Sequence, residues 1–297
     1  MLMDIQSITD EIEERDGLYV GQWRRPVNSA IHIVGSIHDD NMASRLGFRG
    51  GTVAGSIHLE LFPPLMRRAF GKRWFERGSV SIYFLDPTVD REEVRAVVAV
   101  PPGREEDVQV RAWAERPDGR RIGEGTAAVG NPAAPSALMG RDVSRYPAGE
   151  LRILAKASVG DAFSEMTVEV TPQAVEHRLS VITDLLSWYE GDSPWGGPIA
   201  TPCHLVDLMR AAPDGYLHSV QQSEAVPLYG AIEVRYVNGP VFAGKPYQGG
   251  GTIVSLGQSP KTEYLWYDAY LNDADGRRVA EMRMMYRFMK ASSPLYQ

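Results

Sequence analysis

The chain has 297 residues, 43% of them apolar and 23% charged, with a formal net charge of −7. That is globular usage, enough for one large domain or two ordinary ones. The acidic balance argues against nucleic acid or an anionic membrane as the main partner, because both recruit a positive surface. Cys203 is the only cysteine, so no intramolecular disulfide can form. No apolar run approaches the roughly 18 residues of a membrane span. No basic segment followed by an apolar run opens the sequence, so the expectation is a cytoplasmic protein without a secretory signal.

Ile5, Ile8 and Ile12 are spaced for a short amphipathic helix over 4–15. Residues 30–38 alternate, with Ile31, Ile33 and Ile37 on one side and His32, Val34, Ser36 and His38 on the other. This predicts a strand with two histidines on one face. A helix over 41–46 follows, capped by the aspartates before it. Gly47, Gly50 and Gly51 form a loop, and Gly55 opens an apolar helical stretch that Pro63 and Pro64 kink or restart. Strands are predicted over 79–85, 93–100, 108–115 and 122–129. Residues 131–150, rich in Pro, Ala, Ser and Gly, read as a linker. Beyond it come a strand over 166–170 and a helix from the Thr171 cap to about Tyr189, with Pro172 in its first turn. A Gly/Pro loop, a helix over 202–212 and strands over 231–237, 251–256, 263–272 and 279–289 complete the chain.

The second half repeats the first. Asp118-Gly119-Arg120-Arg121 before a strand returns as Asp275-Gly276-Arg277-Arg278. Ile57-His58-Leu59 matches Cys203-His204-Leu205, and the strand opening at Gly78 matches the one opening at Gly230. Three matches in the same order imply duplication. Each half is then one buried helix with a run of antiparallel strands wrapped about it, an α+β layer solution.

That unit, together with His38-Asp39-Asp40, Ala43, Leu46 to Gly50, Val53 and Gly55, resembles the hot-dog fold of the MaoC-like hydratases and dehydratases. The loop from Tyr189 through Ser193 to Pro202 resembles the helix entry of tandem, double hot-dog members. The implied organisation is a first repeat over 1–135, a linker over 136–155 and a second repeat over 156–297. The implied activity is addition of water to, or its removal from, an acyl chain carried as a thioester of coenzyme A or a carrier protein. No metal or other cofactor is implied, and a homodimer is compatible with the family. One departure stands out: the family places an Asp five residues before the catalytic His, with an Asn-Pro between them, whereas Ile33 stands there here. Either His32 and His38 form an altered acid/base pair, or hydratase chemistry has been replaced.

Hydration needs a base for water and donors for the enolate oxygen. His38 is the candidate base. His32 lies on the same face, roughly 20 Å away by strand rise, so a working pair requires a bend at Gly35. Asp39 and Asp40 either orient His38 and water or cap the next helix. Asn41 either donates to substrate or sits in the first helical turn. The resemblance makes the Gly55 and Ser56 amides the oxyanion hole; a helix start lets a ligand approach such amides. His58 and His204, at matching places in the two central helices, are substrate-facing or hydrogen-bonded core residues. Tyr189 and Trp195 line an acyl tunnel or fill the core. The cluster Arg67, Arg68, Lys72 and Arg73 is a candidate for coenzyme A phosphates or a solvated helix end. A thioesterase using Asp39 or Asp40, a non-thioester lyase, isomerase or cyclase of specialised metabolism, and a non-catalytic binding module remain as other readings.

Overall fold

The computed structural model describes residues 11–103, 105–144 and 148–297. A hairpin opens it, β1 (Glu13–Arg15) and β2 (Leu18–Val20), turned by Asp16 and Gly17 at positive φ. The helix predicted over 4–15 is thus a strand at 13–15, because β2 finds a ladder partner at Val97–Ala99 and carries β1 with it. Residues 4–10 of that prediction lie outside the described residues.

Residues 30–38 form no strand. The amides of Ile31, Ile33, Ser36 and Asp39 each bond the carbonyl three residues back, and Gly35 sits at φ 80°. With no neighbouring strand to supply a ladder, the backbone groups close locally as consecutive turns. Ile31, Ile33 and Val34 are exposed as a result. Helix α1 (Asp40–Arg45) follows, its start held by Asp39, whose carboxylate accepts the Asn41 amide. Then come α2 (Gly55–Leu59), α3 (Pro63–Phe70) and α4 (Arg73–Arg77). The two prolines restart the helix rather than kink it, since a first-turn proline forfeits no intrahelical bond.

The remaining strands of the first half are β3 (Gly78–Phe84), β4 (Arg95–Ala99), β5 (Val108–Glu115) and β6 (Arg121–Val129). The second half holds β7 (Ala162–Glu169), α5 (Pro172–Val181), α6 (Pro202–Val220), β8 (Pro227–Tyr236), β9 (Pro246–Gln258), β10 (Thr262–Asn272) and β11 (Arg278–Met289). α5 stops well short of the predicted Tyr189, which lies on a separate single turn over Ser187–Tyr189. α6 runs a further two turns past Ala212, through Pro213.

Among the described residues the strands form one eleven-stranded sheet, β1-β2-β4-β5-β6-β3-β8-β11-β10-β9-β7. The two halves meet at the antiparallel β3–β8 pair, where Ser81 faces Glu233. Outward from that seam the order is β3-β6-β5-β4-β2 on one side and β8-β11-β10-β9-β7 on the other. The strand order is therefore the same in both halves. Alternation sets the faces: Val80, Ile82, Ile232, Val234, Met282 and Met284 point to the helices and are fully buried. α2, α3 and α6 lie against that face and share one core with both halves.

The stretch between the halves is packed rather than free. Leu138 is buried on the outer face with Ala231, Trp266 and Met285, and its amide donates to Ser81 Oγ. The Ser81 hydroxyl in turn donates to Glu233 at 2.8 Å. Further on, Ile153 and Leu154 are buried, their amides donating to the Glu263 carboxylate.

Candidate functional site

The segment around His38 is held shut by four bonds. Asp40 Oδ1 accepts the Gly51 amide at 2.7 Å, and the Thr52 amide donates to the Ile37 carbonyl at 3.0 Å. Asn28 Nδ2 donates to the His38 carbonyl at 2.8 Å. The His38 ring meets the Thr52 carbonyl through Nδ1 at 2.7 Å. Gly51 has to be glycine, because a Cβ there would lie 2.2 Å from the His38 carbonyl oxygen. Ile37 is buried against Val226 and Met289 of the second half, so this turn bridges the two repeats.

A carbonyl only accepts, so Nδ1 carries the proton and Nε2 keeps a lone pair. The ring is half-buried, and desolvation holds its pKa below the usual 6.5, aided by the positive charge of Arg210 on α6 and opposed by the Thr52 bond. His38 is accordingly neutral at pH 7, with its basic nitrogen available.

Arg210 was not anticipated from the sequence. It pairs with Asp214 at 3.1 Å, lies beside Tyr229 and Tyr286, and leaves its Nε buried without a partner. A charged residue inside the apolar run of α6 was the available signal. Glu60 was missed for the same reason: it is buried among Leu59, Leu61 and Phe62, and burial pushes its carboxyl up to about 7.

The other candidates fall in different places. His32 is exposed on the turns and shares no strand with His38. Asp39 accepts the amides of Gly35 and Asn41, which hold its carboxyl below the usual range; it is a helix cap. Asn41 is exposed in the first turn of α1. Gly55 starts α2, three residues beyond the carbonyl that holds His38, and a Cβ there would meet the Phe84 ring at 2.7 Å. Ser56 is buried, its hydroxyl against the Cys203 thiol. His58 Nε2 meets Thr88 Oγ1 at 2.7 Å; burial, then the Arg116 charge, lowers its pKa to about 4.

His204 closes a capping box with Thr201 and sends Nε2 to the Ala174 carbonyl, and burial lowers its pKa to about 4 as well. Tyr189 is fully buried in the core. Trp195 is half-buried, donates to Glu76 at 2.9 Å and stacks edge-on with Trp188. The basic cluster is already partnered: Arg67 over Trp188, Arg68 with Glu14, Lys72 with Glu76 and Arg73 on the Glu106 carbonyl. Among the described residues no three His, Cys, Asp or Glu side chains converge to hold a metal, and no helix is long and apolar enough to cross a membrane.

A cavity of about 370 Å³ lies elsewhere, lined by Glu233, Arg235, Asp268, Tyr270 and Arg283. These side chains alternate with the core residues of their strands, so they line the sheet face away from α6. Their charges are satisfied locally, Arg283 by both oxygens of Asp268 and Glu233 by serine hydroxyls. It is separate from the His38 turn.

No protein-family model and no curated protein matches the sequence. Solved structures do match the fold. A MaoC-domain dehydratase from Chloroflexus aurantiacus J-10-fl aligns over 93% of this chain and 96% of its own, at 13% identity and TM-score 0.59. A Mycobacterium tuberculosis protein with a double hot-dog fold aligns over 95% and 98%, at 13% identity and TM-score 0.58. The chain has the double hot-dog fold. A further double-length match, a MaoC-like dehydratase, covers 95% and 98% at 16% identity and TM-score 0.52. In this double hot-dog chain, the His38 turn is one of the places where the first repeat packs against the second.

Proposed function

We propose that this double hot-dog protein is an acyl-thioester hydratase/dehydratase acting on a coenzyme A or carrier-protein thioester, with His38 as its base. The observation that carries the reading is the Nδ1 bond from His38 to the Thr52 carbonyl, which leaves Nε2 unprotonated on a half-buried ring. In the hydration direction, Nε2 takes a proton from water as the oxygen bonds to the β-carbon. The double-bond electrons move to the thioester oxygen, which the Gly55 and Ser56 amides hold. The imidazolium, supported by the Thr52 carbonyl, then returns its proton to the α-carbon. One group serves as base and acid, which suits a chain with Ile33, exposed on a turn, where the family places a carboxylate.

The test follows the ultraviolet enone absorbance of trans-2-enoyl-CoA with wild type and His38→Ala, alongside a free-thiol assay. Loss of absorbance without thiol release, reduced about 100-fold or more in His38→Ala, is expected for a general base. Equal rates in the two proteins remove His38, and thiol release in place of hydration replaces the reaction with thioester hydrolysis.

A further inference from the structure

The cavity of about 370 Å³ on the outer face of the second half has the size of a small-molecule pocket, roughly 300–1,000 Å³. Its wall is a grid of charges set by strand register. Glu233 stands opposite Arg283 and Arg235 opposite Glu281, while Arg283 and Glu281 stand in turn opposite Asp268 and Tyr270. Most of these charges pair within the wall. Arg283 bonds both oxygens of Asp268, and Arg278 approaches Glu281 at 3.5 Å.

Glu233 and Arg235 have no such ion partner. The hydroxyls of Ser81 and Ser136 donate to the same oxygen of Glu233, Oε2, at 2.8 and 2.5 Å, and among the described residues Oε1 accepts none. Glu233 is only 4% exposed, and burial raises its pKa against the serine bonds and the more distant charges of Arg283 and Arg235. A buried carboxylate without a counter-ion is costly until a cation is brought to it. Arg235 gives its guanidinium to the side chain of Asn131, a neutral partner. Ser136 and Asn131 both come from the stretch between the halves, so that stretch ties the two charged groups to separate anchors.

Residues two apart on one face of a strand are roughly 7 Å apart. A ligand that meets both charges therefore carries both signs close together. A simple amine would serve Glu233 alone, and an anion would serve Arg235 while being repelled by Glu233. An α-amino acid bears its ammonium and carboxylate on one carbon and is small enough for this cavity. We infer that the outer-face cavity binds a free α-amino acid, its ammonium on Glu233 Oε1 and its carboxylate on the Arg235 guanidinium. No bond is made or broken there, and the inference makes no use of His38 or of the thioester reading.

Its test is the melting midpoint of the full chain with each of the common L-α-amino acids at millimolar concentration, against sodium chloride of equal ionic strength and with no thioester present. At least one amino acid is expected to raise the wild-type midpoint by several degrees, as a ligand of the native state does. Its N-acetyl derivative and its methyl ester, which each keep one charge, are expected to lose that rise. Glu233→Gln, which keeps an acceptor for the two serines, and Arg235→Met are each expected to lose it as well. A wild type that no amino acid stabilises overturns the inference. So does a rise that survives in either derivative or in either variant. Should Glu233→Gln not fold, Arg235→Met decides alone, because its side chain is only half-buried.

Discussion

Replacing Glu60 with Gln separates the shape of this side chain from its charge. The carboxyl is fully buried, and removal from water raises its pKa from 4.5 to about 7 against the opposing hydrogen bonds from Thr201 and the Cys203 amide. The groups that face it are Thr201 and Cys203 of α6, Arg178 and Asp207 beyond them, and the Tyr189 and Tyr236 hydroxyls. A folded-state pKa above the unfolded one means that the native protein binds the proton more tightly. The stability this confers is complete below pH 4.5 and is lost as pH rises through 7. At ~1.4 kcal/mol per pKa unit, the difference in unfolding free energy between wild type and Glu60→Gln should move by about 3 kcal/mol in favour of Gln between those limits. Urea unfolding of both proteins at pH 5 and pH 8, followed by tryptophan fluorescence, reads this directly. A difference that stays constant with pH would refute the reasoning, because it would mean that the carboxyl is solvated or ionised throughout.

Four other outcomes follow from the site. The depressed pKa of His38 predicts that the acid limb of kcat/KM falls at a pH below 6.5, so that activity persists where an ordinary imidazole would be protonated; a midpoint above 6.5 contradicts this. Asp39→Ala removes the cap of α1 and should lower the midpoint of chemical denaturation. Asp40→Ala frees the Gly51 amide and should lower kcat/KM more than Asp39→Ala does, because Gly51 leads to the carbonyl that orients His38. Gly55→Ala places a methyl 2.7 Å from the Phe84 ring, so it should destabilise the fold, and Phe84→Leu should recover much of the loss in a double-mutant cycle of melting midpoints.

Strands such as β5, where Val108, Val110, Ala112 and Ala114 alternate with the more exposed Gln109 and Arg111, the buried Trp113 and the half-buried Glu115, could be read from the sequence because one face meets the core. The same period misled at 30–38. There the isoleucines are exposed, and the decisive facts are Gly35 at positive φ and the absence of any strand to pair with. Alternation records what a ladder would bury and says nothing of whether a ladder is available. The internal repeat was visible as matched residues, and the β3–β8 seam shows how the copies join. The site was harder to read. His38 could be named from its neighbourhood, yet its partners, Thr52 and Arg210, come from a backbone carbonyl and from a helix more than 150 residues away. Glu60 was passed over because a single acid beside an apolar helix carries no sign of burial, which comes from α6, Tyr189 and Tyr236 far along the chain.

The β3–β8 ladder has a consequence for the gene. Because both strands belong to one polypeptide, closing the seam is a unimolecular step that does not depend on protein concentration. Were the coding sequence cut between residues 130 and 160, each fragment would present an unpaired strand, β3 or β8, able to recruit a like fragment. Reassembly would then obey mass action, and dilution alone would take the protein apart.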